Sequence, residues 1–217
     1  MSGYETTFDA HDESLIAAPR ALLINCTLKP SPQPSSGDVL GGQVLQQLQE
    51  HGVQGSSIRA VDHRILPGVE NDMGEGDAWP EIREAVLQAD VLVFVTPTWL
   101  GQHSSVAQRV LERLDAEISA TDASGRPTLF GKVAIPVVVG NEDGAHHISA
   151  IVFQALDDIG YTVPAHTSVY WNGEAMKGID YKDLDETPEA VARATATAAR
   201  NAAHLARLLK ADRYPAE

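Results

Sequence analysis

What most constrains the fold of this chain is an alternation of two kinds of apolar pattern. Residues 21–26 (ALLINC) form an apolar run long enough for a strand and too short for a helix. Residues 91–96 (VLVFVT) are β-branched and apolar without alternation, as a strand is when both of its faces are covered. Residues 133–139 (VAIPVVV) read the same way, although Pro136 forfeits one ladder donor. Runs at 57–61 and near 167–170 are weaker strand signals. Helical patterns lie between them. Residues 37–51 place Val39, Val44, Leu45 and Leu48 on one stripe, and Ile82, Val86 and Leu87 form the next after Trp79 and Pro80. Val106, Val110, Leu111, Leu114 and Ile118 make a third. Ile148, Ile151, Val152, Leu156 and Ile159 make a fourth, which Gly160 is placed to end. The last helix takes Thr187 as N-cap, Pro188 at its first position and Glu189 behind it, and runs to about Leu209. Five β–α units in this order predict a parallel sheet sandwiched between helices.

Length and charge narrow the classes of function. A chain of 217 residues suits one domain with a real core. Thirty acidic against sixteen basic side chains give a formal net charge of −14, which argues against nucleic acid as a partner. Cys26 is the single cysteine, so an internal disulfide and a cysteine-held metal cluster are excluded. The first twenty residues carry acids where a signal peptide carries bases, and no stretch approaches the roughly 18 apolar residues of a membrane span. The expectation is a soluble cytoplasmic protein with no membrane partner. Its expected parts are a polar extension at 1–19, a domain at 20–211 and a short tail at 212–217. The stretch 62–77 (DHRILPGVENDMGEGD) is too long for an ordinary connection, and loops of that length are often functional.

In a parallel sheet of this kind, ligands sit beyond the carboxyl ends of the strands. Three loops leave such ends. The first, 27–36 (TLKPSPQPSS), runs into a helix whose start offers unpaired N–H groups and a positive dipole end to an anion. Thr27, Ser31, Ser35 and Ser36 add hydroxyls, Lys29 adds a cation, and Pro30, Pro32 and Pro34 stiffen the loop. A proline-rich surface turn with Ser36 as a simple N-cap reads equally well. The loop lacks both GxGxxG and GxxxxGK[ST]. The second loop, 97–103 (PTWLGQH), sets Pro97, Thr98, Trp99, Leu100 and Gly101 after the strongest strand. Trp99 offers a flat face to an aromatic ring, or else plugs the sheet edge. The third, 140–147 (GNEDGAHH), carries Asn141, Glu142, Gly144 and His146. Adjacent histidines without further ligands fit a pocket lining better than a metal site.

These residues resemble the NADPH-dependent FMN reductase and flavodoxin-like NAD(P)H oxidoreductase family. INCTLKPSPQPSSGDVL is similar to its phosphate loop, with Thr27 and Lys29 at the serine and arginine positions and Ser35 and Ser36 at the closing pair; Cys26 stands where the family opens with glycine. ADVLVFVTPTWLGQHSSVAQRVLERLD resembles its third strand, aromatic loop and following helix, and VAIPVVVGNEDGAHH its third flavin loop. The resemblance spans roughly residues 20 to 172. It implies a flavodoxin-like three-layer sandwich, a five-stranded parallel sheet with helices on both faces. It implies FMN held by its phosphate on Thr27, Lys29, Ser35 and Ser36, with the ring against Thr98, Trp99, Leu100 and Gly101 and along Asn141, Glu142 and Gly144. NADPH or NADH is then the transient electron donor, bound over the exposed ring face under the 62–77 loop or a partner subunit. A small molecule is the acceptor, and a homodimer or higher homo-oligomer is implied. No side-chain acid or base is assigned to catalysis.

Other readings compete. An electron-transfer flavodoxin, without its own reductase activity, shares the fold and the acidity but does not require the leader or the acidic insertion. A hydrolase is suggested only by Ser104 and Ser105 beside His103, without GxSxG. A phosphorelay receiver needs an Asp where this chain has Thr96 and Pro97. A flavin-free interaction module is the remaining alternative.

Overall fold

Why the central strands read as unbroken apolar runs is plain in the computed structural model, which describes residues 17–175 and 177–216. The extension expected at 1–19 lies, up to residue 16, outside the described residues. The elements are β1 (Arg20–Asn25), α1 (Ser36–Glu50), β2 (Gln54–Arg59), α2 (Trp79–Gln88), β3 (Val91–Trp99), β4 (Gln102–His103), α3 (Ser105–Leu114), β5 (Val133–Gly140), α4 (Ala145–Asp158), β6 (Val169–Asn172) and α5 (Glu189–Ala211). Five strands run parallel in the order β2-β1-β3-β5-β6, the flavodoxin-like order. In that sheet Ile24 pairs with Phe94, and Phe94 with Pro136. Leu22, Ile24, Leu92 and Phe94 bury one face with Val86, Val110 and Ile148 of α2, α3 and α4. Leu23, Val93, Val95 and Ile135 bury the other with Leu40, Val44 and Leu48 of α1 and the alanines of α5. Those alanines (198, 199, 202, 203 and 206) are fully buried, so α5 lies close against the sheet and α1.

The structure corrects several local expectations. β2 is Gln54–Arg59, not 57–61, because an edge strand with an exposed first half carries little apolar signal. Leu40 rather than Val39 faces the core, and Val39 is exposed. Ile118 is exposed because α3 ends at Leu114. α5 begins at Glu189, with Pro188 in the capping position, its carbonyl accepting from Val191 and Ala192. The Thr187 hydroxyl accepts instead from Gln43 Nε2 of α1 at 2.8 Å.

The 62–77 stretch is a fastened strap. Arg113 of α3 is fully buried beneath it and donates to the carbonyls of Leu66 and Glu70 at 2.7–3.0 Å. Its guanidinium pairs with Asp77 at 2.8 Å, with both side chains wholly enclosed. The tail is docked too. Tyr214 stacks edge-on to Phe130 and its hydroxyl meets that of Thr162 at 3.1 Å.

Candidate functional site

At the carboxyl end of β1 the chain turns over Asn25, whose Oδ1 accepts from Thr27 N at 3.0 Å and whose Nδ2 donates to Asp38 Oδ1 at 2.6 Å. This ties the strand end to the first turn of α1. Ser35, not Ser36, is the N-cap; its Oγ accepts from Gly37 N at 3.1 Å. Ser36 Oγ accepts from Lys182 N at 3.3 Å. Arg59 at the end of β2 donates to the carbonyls of Lys29 and Gln33 at 3.1 and 2.9 Å and pairs with Asp38. The loop is therefore braced from below, and the start of α1 opens onto a cleft. Ser31 turns away: its N–H and hydroxyl both donate to the Asp62 carboxylate, which they hold below the usual carboxylate range.

The second loop is tighter than the sequence suggests. β3 continues through Trp99 and folds back onto β4, with Thr98 paired to His103 and Trp99 to Gln102. Leu100 and Gly101 form the hairpin tip with φ of +50° and +71°. Leu100 is 92% exposed and its N–H donates to Glu142 Oε1 at 2.9 Å. Gly144, at φ +138°, lies directly on this tip: a Cβ there would meet the Gly101 backbone at 2.8 Å. Gly101, Glu142 and Gly144 thus lock the second loop to the third. His146 Nε2 pairs with the Tyr170 hydroxyl at 3.0 Å and His147 Nε2 with Gln102 Oε1 at 3.2 Å.

Between these loops lies a cleft of about 180 Å³. Loop 27–36 contributes Thr27, Lys29, Ser35 and Ser36 to its wall, β3 contributes Pro97, Thr98 and Trp99, and β5 leads into it through Gly140 and Asn141. Ser31, Leu100, Gly101, Glu142, Gly144 and His146 do not line it. Trp171, Asp180 and Tyr181 of the wall lie outside the three loops singled out from the sequence. Trp171 and Tyr181 pack with ring centroids 5.4 Å apart, the Tyr181 hydroxyl donates to Gln43, and Asn141 Nδ2 donates to Asp180 Oδ1. An aromatic residue at the carboxyl end of β6 was the available signal. At the floor, Thr98 is buried, and its hydroxyl has no hydrogen-bond partner among the described residues. Buried hydroxyls are nearly always paired, so this one fits a group arriving from the cleft. A cleft with a helix start and hydroxyls at one end, and an aromatic wall with an unpaired hydroxyl at the other, fits a phosphorylated ring system.

The profile of the NADPH-dependent FMN reductase family matches residues 19–175. The chain belongs to that family. The family is that of the NADPH-dependent FMN reductases, and the fold is flavodoxin-like. It is 30% identical over 205 residues to the 8-demethyl-8-aminoriboflavin-5'-phosphate synthase of Streptomyces davaonensis, covering 90% of this chain and 80% of that one. The crystal structure of RosB with bound 8-demethyl-8-formylriboflavin-5'-phosphate superposes with a TM-score of 0.82 at 30% identity, covering 91% of this chain and 82% of that one. The chain is also 41% identical over 181 residues to the divalent metal cation transporter MntH of Mycobacterium bovis, but those residues, 79% of this chain, span only 26% of that protein's length. The NAD(P)H:acceptor oxidoreductase FerB of Paracoccus denitrificans shares the fold, with a TM-score of 0.55 at 18% identity over 88% of this chain and 98% of that one.

The local chemistry disfavours the hydrolase reading. Ser104 caps α3: its hydroxyl donates to Cys26 O at 2.6 Å and accepts from Ala107 N at 3.0 Å. His103 Nε2 is paired with Gln108, not with a serine. Burial pushes the Cys26 thiol far above its ordinary range, so it is no nucleophile at neutral pH. Among the described residues, no helix is long and apolar enough to cross a membrane.

Proposed function

We propose that the cleft holds FMN with its phosphate at the start of α1 and its ring along β3 and β5, and that the protein passes a hydride from NADPH through it to a small acceptor. FMN supplies the hydride and electron chemistry when bound. The residues of the chain do the rest. Lys29 and the hydroxyls of Thr27, Ser35 and Ser36 neutralise and orient the phosphate, helped by the positive end of α1. The buried Thr98 hydroxyl gives a polar ring edge a fixed partner, and Trp99 and Trp171 supply apolar faces that exclude water. A homodimer that covers the exposed Trp99 completes this reading. The observation that carries it is the meeting of that helix start with the unpartnered Thr98 hydroxyl in one cleft.

Purified protein should be yellow, or become so with added FMN, and should oxidise NADPH steadily when given a quinone or free flavin. Bound flavin with negligible NADPH oxidation would leave an electron shuttle.

A second reading is favoured by the relatives that are 30% identical over about four fifths of their length, one of which holds a formyl derivative of FMN. In that reading FMN is the substrate, and its ring is altered. Mass spectrometry of the flavin recovered after turnover separates the two: an unchanged mass supports the cofactor reading, and a changed ring mass supports the second.

A further inference from the structure

The opposite, amino-terminal end of the inner strands carries a second cleft, of about 240 Å³, between the ends of α2 and α5 and the start of β5. Lys132 immediately precedes β5, and Gly140 at the strand's far end borders the flavin cleft, so the two sites stand roughly 26 Å apart at about 3.3 Å per residue. The charges here do not cancel. Asp90 pairs with Lys210 at 2.9 Å, and Asp122 pairs with Arg126 at 3.5 Å. Lys132 and Arg213 remain, and neither has a carboxylate within ion-pair distance among the described residues, in a chain of net charge −14.

Lys132 is held in a revealing way. Its Nζ donates to the carbonyls of Leu87 and Ala89 at 2.7 and 2.6 Å, at the end of α2. Those two bonds cap the helix and use two of the three N–H directions of an ammonium, which leaves the third for the cleft. The stem of Arg213 passes over Gly131, where an added Cβ would meet its Cγ at 3.7 Å, and the neighbouring Tyr214 is fixed against Phe130 and Thr162. Two cations without an ion-pair partner among the described residues are thus held at one half-enclosed cavity.

We infer that this cleft binds a small oxyanion, inorganic phosphate or the phosphate group of a phosphorylated metabolite, between Lys132 and Arg213. The groups facing Lys132 are the α2 carbonyls, Asp90, Lys210, Arg213 and Arg20. Burial lowers the Lys132 ammonium to about 8, Asp90 opposes that shift, and the three cations add to it. A bound anion reverses the cations' effect. Binding is therefore strong below about pH 8 and fades as Lys132 loses its proton.

The test is isothermal titration of FMN-saturated protein with inorganic phosphate and, separately, glycerol 3-phosphate, each against sodium chloride of matched ionic strength. Saturation with FMN keeps the flavin-phosphate subsite occupied. If the protein takes no FMN, the same titration runs on the Lys29→Ala/Ser36→Ala variant. Saturable one-site binding is expected, at least about tenfold weaker in Arg213→Gln and in Lys132→Met, with the flavin spectrum unchanged. Affinity should fall roughly tenfold between about pH 7 and pH 9, following the protonated fraction of Lys132. Phosphate gains charge over that interval, so the loss must come from the protein. Tighter binding of the ester assigns a metabolite and tighter binding of phosphate assigns the free ion; either supports the site. Heat no larger than the chloride control would overturn it, as would wild-type affinity in the exposed Arg213→Gln variant.

Discussion

Leu100 holds a conformation that its side chain does nothing to stabilise. It occupies the left-handed region at φ +50° while 92% exposed, at a tip where Asn-Gly is the usual choice. The left-handed conformation costs an L-residue about 1–2 kcal/mol, and an exposed leucine recovers none of it by burial. Leu100→Asn should therefore raise the melting temperature by about 2–4 °C, the equivalent of about 1 kcal/mol in a domain of this size. If the leucine is kept to touch an apolar acceptor, the same variant should lose turnover with such acceptors while gaining stability. A melting temperature that does not rise would show the tip unstrained. The residues proposed to hold the phosphate make a second prediction. Lys29→Ala with Ser36→Ala removes a charged and a neutral contact to the ligand, so FMN affinity should drop on the order of a hundredfold, about 3 kcal/mol, with the circular dichroism spectrum intact. Thr27, Lys29, Ser35 and Ser36 were legible in the sequence because strand end, loop and helix start are neighbours along the chain. Trp171, Asp180 and Tyr181 were not, because only tertiary folding carries the segment after β6 back over the cleft.

The strap at 62–77 shows where an element defeats sequence reading. Its acids and glycines look like a mobile loop, yet its organising contact is an arginine that lies more than thirty residues later on α3. A buried arginine on an amphipathic helix reads as surface until its partners are known. Burial alone would raise the Asp77 carboxyl, but N–H groups of Met73, Leu66 and Trp79 and the Arg113 guanidinium outweigh it and hold it at about 2. Because the folded value is depressed, the unfolded chain takes up the proton first. The stabilisation is complete above the ordinary carboxylate value of 3.8 and disappears as pH falls toward about 2. Asp77→Asn should thus destabilise the protein at neutral pH and flatten that part of its acid-unfolding curve. Arg113→Met leaves a buried carboxylate unpaired and should cost about 3–5 kcal/mol in urea unfolding. Equal acid sensitivity in wild type and Asp77→Asn would assign the transition to other carboxylates. The helices and the central strands were legible for the opposite reason: their apolar periodicity is local, and the boundaries missed include those of the exposed edge strand β2, the end of α3 and the cap of α5.

At the scale of the whole molecule, the charge of −14 opposes the ligands proposed for it. FMN and NADPH are both polyanions, and the long-range field of the chain repels them before any local contact forms. The attraction proposed at the cleft is short-ranged: Lys29 and the positive end of α1 would act within a few ångströms of the phosphate. Lys182 nearby is already committed to Asp180 and Asp183. Salt shortens the reach of the net charge to about 8 Å at physiological ionic strength, while contacts inside the cleft are screened far less. Added salt therefore removes more repulsion than attraction. The rate of FMN association with the apoprotein, followed by quenching of flavin fluorescence in stopped flow, should rise a few-fold from low ionic strength to about 0.15 M, with little change in the dissociation rate. An association rate that falls with salt would mean that the field at the cleft mouth is positive, set by Lys29 and the start of α1 rather than by the acids that dominate the remaining surface.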